Sequence, residues 1–140
     1  MKVALYKGKT RLFNKLTSWW LRGEYSHCEV VLGEDDLGMS ICASSSFLDS
    51  GVRVKHINLN TPNWDVFEID GDVEYAKQWM REHEGESYDV LGLLGFVLRI
   101  IGHKQNRWLC SEAFAAMLGY PDSWRFDPCI LGALVKRNYN

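Results

Sequence analysis

The chain has 140 residues, 46% hydrophobic and 24% charged, with a formal net charge of −2. That is the composition of one globular domain with enough apolar mass for a core, so a single domain over 1–140 is expected. Neither sign of charge forms a long run, which argues against a nucleic-acid footprint and against a polybasic membrane patch.

The N-terminus, MKVALYKGKTRLF, lacks the continuous apolar core and small-residue cleavage site of a secretory signal, so the mature chain is expected to start here. Lys2 to Tyr6 reads as a short strand, and Thr10 to Arg22 sets Leu12, Phe13, Leu16, Trp19 and Trp20 on a helical stripe expected to face the core. Ser26 to Leu32 alternates, placing Cys28, Val30 and Leu32 on one face and His27, Glu29 and Val31 on the other. Glu34 to Gly38 reads as a turn, Met39 to Ser45 as a second strand of this group, and Gly51 to Leu59 as a third. Asp49, Ser50 and Gly51 supply the turn chemistry between the last two. Past Pro62, Trp64 to Ile69 reads as one more strand.

After Gly71 the period lengthens. Val73, Ala76, Trp79 and Met80 fall on one face of a helix expected to stop near Gly85. Tyr88 to Ile101 reads as an apolar core helix, too short to span a bilayer and interrupted by Arg99. Cys110 to Leu118 is the next helix, and Asp127 is a good N-cap for a last one over Pro128 to Lys136. Strands first and helices second predict an α+β fold, with an antiparallel sheet of about four to five strands packed against helices.

Cysteines stand at 28, 42, 110 and 129, with no CxxC pair and no partners at zinc-finger spacing, so structural zinc is disfavoured and reduced thiols are the default. Only Cys110, within RWLCSEAFAAML, has a helix-start context. Exposed backbone N–H groups and the positive end of the helix dipole stabilise a thiolate there, below the free-cysteine pKa of about 8.5. A nucleophilic cysteine needs a base, and His27 on the polar face of its strand is the candidate. His56, His83 and His103 read more simply as solvent-facing. From spacing alone, Cys110 as a buried helix cysteine and His27 as a satisfied strand histidine are the favoured reading.

The segments YSHCEVVL, SICASSSFLDSGVRVKHI, GESYDVLGLLG and RWLCSEAF, in that order, resemble the permuted branch of the NlpC-type papain-like cysteine hydrolases. In that branch the histidine strand precedes the cysteine helix, as in YiiX-like hydrolases and lecithin retinol acyltransferase relatives. The ending WRFDPCILGALVKR resembles small phage and prophage members. The resemblance implies a permuted papain-like fold, Cys110 as nucleophile, His27 as general base and no cofactor or metal. It implies an acyl substrate, with a peptidoglycan peptide ahead of a lipid or other acyl ester, and possible tail or virion partners in a virion or host cytoplasm. A non-catalytic structural or binding protein of the same fold is the other class. The family's third residue falls on Cys42, a poor partner for imidazole, and Ser40, Ser44 or Glu29 could take its place. Glu112 is expected to complement the helix N-terminus, and Tyr88 and Asp89 to start a helix.

Overall fold

The computed structural model describes residues 1–8, 15, 19, 23–90 and 107–137. Its strands are β1 (Lys2–Tyr6), β2 (His27–Glu34), β3 (Ser40–Ser46), β4 (Gly51–Ile57), β5 (Trp64–Glu68), β6 (Ser87–Tyr88) and β7 (Arg107–Trp108). The helices among the described residues are α1 (Val73–His83), α2 (Cys110–Met117) and α3 (Pro128–Arg137), with a 3₁₀ turn over Ser123–Arg125. The fold is α+β: one seven-stranded sheet in the order β5-β1-β2-β3-β4-β6-β7, antiparallel except for β6 and β7.

The expectation of four to five strands is therefore too low. The two additional strands, β6 and β7, are two-residue ladders with no periodicity to read, made where the chain passes the edge of β4. Gly51 makes that passage possible, because its φ of +152° is open chiefly to glycine and a Cβ there would run into the Glu86 carbonyl oxygen. Val52 N–H then donates to Glu86 at 2.8 Å, and Tyr88 N–H to Ser50 at 3.2 Å. Tyr88 is consequently a strand residue and not a helix start. Of the predicted helix from 88 to 101, residues 91–101 lie outside the described residues.

Alternation divides the sheet chemically. Val3, Leu5, Cys28, Val30, Ala43 and Val52 join a buried cluster with α1, α2 and α3. Helix α2 lies at the centre of that layer, and Ala113, Phe114, Ala115 and Met117 are all at most 1% exposed. A helix apolar on every side is a buried one. The termini follow ordinary capping rules: Asp72 Oδ1 accepts from Glu74 and Tyr75 N–H, and Asp127 Oδ1 from Cys129 and Ile130 N–H. Leu109, which precedes α2, has no acceptor, and Glu112 instead reaches back to its N–H at 2.9 Å, as the sequence suggests for Glu112.

Two expectations fail here. Trp19 is 72% exposed, because it lies four residues from exposed Lys15 on one helical face turned outward; the rest of that stripe lies outside the described residues. His83 is half-buried and not simply solvent-facing: its ring stacks on Trp79 at 4.2 Å, since the two are one turn apart on α1. His56 is exposed as expected, paired with Asp35 at 2.6 Å, and His103 lies outside the described residues.

Helix α3 meets the start of β2 through Gly132, where a Cβ would come within 2.6 Å of the buried Tyr25 ring. Gly132→Ala is expected to destabilise by about 1–3 kcal/mol despite alanine's higher helix propensity, because overpacking outweighs it. Urea denaturation checks this; a gain in stability would show that the ring has room to move.

Candidate functional site

His27 is the first residue of β2 and Cys110 the first of α2, and the strand start and helix start meet at one end of the sheet. The Cys28 thiol and the His27 imidazole are both close enough to the Cys110 sulfur to shift its pKa. Adjacent residues of one strand thus grip one atom, Cys28 from the core side and His27 from the other. The hydrogen bond from Cys28, then that from His27, hold the Cys110 thiol well below the usual thiol range against the opposing effect of burial. Cys28 is fully buried, which pushes its own pKa well up and makes it the donor. Burial disfavours a charged imidazole, yet contact with Cys110 and Glu29 overrides it and pushes His27 up to about 10. The two shifts run in the directions that favour a thiolate–imidazolium pair.

His27 Nε2 lies 2.8 Å from Glu29 Oε1, which leaves Nδ1 as the ring nitrogen for the thiol. Glu29 is 1% exposed and faces Arg53 with both oxygens, at 2.7 and 2.5 Å. Burial would raise a carboxyl, but Arg53 and then His27 outweigh it, so Glu29 stays ionised below its ordinary value. Arg53 Nε continues to Asp49 at 3.0 Å, and Lys55 reaches the same carboxylate at 2.9 Å. Glu29 and Arg53 lie two strands apart. Val30 opposes Ala43 and Ser44 opposes Arg53, so Ser44 occupies the place between them on β3.

The structure thus sets Glu29 beside the imidazole, not Cys42 or Ser44. Cys42 opposes Val31, further along the sheet, and burial pushes its thiol up to about 12. Ser44 is fully buried, and its hydroxyl donates to the Cys28 carbonyl at 2.7 Å instead of to a ring nitrogen. Ser40 opposes Glu34 and Ile57 at the far end of β3. Glu29 was legible as a same-face neighbour two residues after His27. Arg53, and Cys28 as a partner of Cys110, were not, because those contacts run across strands or across the layer.

Cys110, His27 and Glu29 open onto a cleft of about 420 Å³. Phe47 and Leu48 also line it and are 47% and 62% exposed. Ser26 lines the cleft as well; it is 4% exposed and its hydroxyl has no hydrogen-bond partner among the described residues. All four cysteines are free thiols. Among the described residues no group of three or more His, Cys, Asp or Glu side chains is placed to hold a metal, and no helix is long and apolar enough to cross a membrane. No protein-family model matches the chain, and no curated protein does.

Proposed function

We propose that the protein is a cysteine hydrolase that cleaves an acyl bond, with Cys110 as nucleophile, His27 as general acid–base and Glu29 as the group that orients His27. The observation that carries this reading is the contact of a helix-start cysteine with an imidazole whose other nitrogen faces a buried, ionised carboxylate. In this mechanism the Cys110 thiolate attacks the carbonyl carbon, and the Cys110 backbone N–H, which has no carbonyl partner in the first helical turn, donates to the developing oxyanion. The tetrahedral adduct collapses as His27 passes its proton to the leaving group. Water, deprotonated by the then-neutral His27, hydrolyses the thioester.

The chemistry, together with the resemblance of the sequence segments, supports a permuted papain-like fold of the NlpC type and an amide of a peptidoglycan peptide as substrate, in a phage virion or host cytoplasm with tail or virion proteins as partners. A lipid or other acyl ester is the second reading, favoured by the exposed Phe47 and Leu48 beside the nucleophile. The test is hydrolysis of peptidoglycan fragments and of short- and long-chain acyl esters by wild type and Cys110→Ala. Turnover that requires Cys110 is expected. Turnover equal in the two proteins, or absent on every substrate while Cys110 remains alkylatable, would leave the non-catalytic structural class.

A further inference from the structure

The Cys110 amide alone makes half of an oxyanion hole, and the residue just before the general base has the properties of the other half. Ser26 is 4% exposed, yet its hydroxyl is buried with no partner among the described residues. Buried hydroxyls are nearly always paired, because an unpaired one costs roughly 1–3 kcal/mol, so an orphan on a site wall calls for a ligand. Its backbone is tied down: Ser26 N–H donates to the carbonyl of Tyr6, the residue that also pairs with His27, at 2.9 Å. Ser26 directly precedes His27, the first residue of β2, so its hydroxyl is held beside the imidazole at the start of that strand. Ser26 and Cys110 line the same cleft.

We propose that Ser26 Oγ–H is the second oxyanion donor, acting with the Cys110 backbone N–H on the carbonyl oxygen of an acyl substrate. The inference rests on the hydrolase reading above. In the step it serves, the Cys110 sulfur bonds to the carbonyl carbon and the C=O π pair moves onto oxygen, where the two donors hold it. The pair then returns as the bond to the leaving group breaks.

Two reagents at the same sulfur test this. p-Nitrophenyl acetate acylates Cys110 through an oxyanion and releases p-nitrophenolate, whereas iodoacetamide alkylates it by displacement without one. Ser26→Ala is expected to lower the acylation rate about 10- to 100-fold and to leave alkylation within about twofold. It is also expected to keep or raise the melting temperature, since it removes an unpaired buried hydroxyl. Should the alanine variant fail to fold, Ser26→Gly lacks the hydroxyl equally and must give the same split. Unchanged acylation, acylation and alkylation falling together, or a marked loss of stability each overturns the assignment. A wild type that is alkylated at Cys110 but never acylated fails the hydrolase reading and the assignment with it, whereas a wild type acylated as fast as Ser26→Ala removes Ser26 alone.

Discussion

At pH 6 iodoacetamide is expected to modify Cys110 one to two orders of magnitude faster than Cys129. A thiol of ordinary pKa near 8.5 is only about 0.3% ionised there, so a thiol held well below that range gains up to a factor of about 300. That ratio of about 300 is reduced because a low-pKa thiolate is intrinsically a weaker nucleophile. Cys129 is shifted the other way, upward by burial, and Cys28 and Cys42 more so. His27→Ala should slow labelling at pH 6 and make the rate climb with pH toward an ordinary thiol profile. Cys28→Ala should shift the profile upward by less, as His27 remains. Peptide mapping after timed labelling decides the matter, and equal labelling of Cys110 and Cys129 at pH 6 would dispose of the ion pair. The same pair shapes stability. Folding gives His27 a raised pKa, so its contribution is complete below about pH 6.5 and lost as pH rises toward 10; Cys110 is lowered, so its contribution is complete above about 8.5 and lost as pH falls. Between roughly pH 6.5 and 8.5 the proton gained by one equals the proton lost by the other, and the pair's contribution should be flat with pH.

Arg53→Met is expected to cost about 3–5 kcal/mol at pH 7, because it leaves Glu29, 1% exposed, as a buried carboxylate facing only His27. The size follows from burial, since exposed pairs such as Lys77 with Glu74 contribute at most about 1 kcal/mol. The pH dependence gives a second handle. In the wild type Glu29 is held low, so its stabilisation is present above about pH 4.3 and lost as pH falls below it. In the variant burial dominates and the carboxyl is raised, so the stability deficit should shrink on acidification as Glu29 protonates. Glu29→Gln combined with Arg53→Met should recover part of the loss. Urea midpoints at pH 7 and pH 5 measure all three, and a deficit under 1 kcal/mol would mean that solvent already screens the bridge.

The sequence exposed what depends on neighbours in the chain. Strands β1 to β5 end within about two residues of their alternating stretches, and Asp127 and the 3.6-residue period place the helices. His27 and Cys110 were visible because each begins an element, and Glu29 because it lies two positions along one strand face. What could not be read is set by partners far away in sequence. Arg53 reaches Glu29 only through the β2–β3–β4 register, and Cys28 reads as an inert core thiol until α2 is laid against it. Cys42 was aligned with a family position, but β3 is paired so that it opposes Val31, and a bulge between Val31 and Gly33 shifts the register just beyond. Trp19 shows the converse error: apolar periodicity does not by itself say that a given position is buried.

Ser44 stands between Glu29 and Arg53 on neighbouring strands spaced about 4.8 Å apart, so the two long side chains can meet only by leaning across it. A side chain of leucine size at 44 would crowd Glu29 and Arg53, both of which line the cleft, with Cys110 and His27 themselves unsubstituted. The proposed site therefore has a veto position on the neighbouring strand, at which mutational drift could undo the arrangement while Cys110, His27 and Glu29 stayed in place.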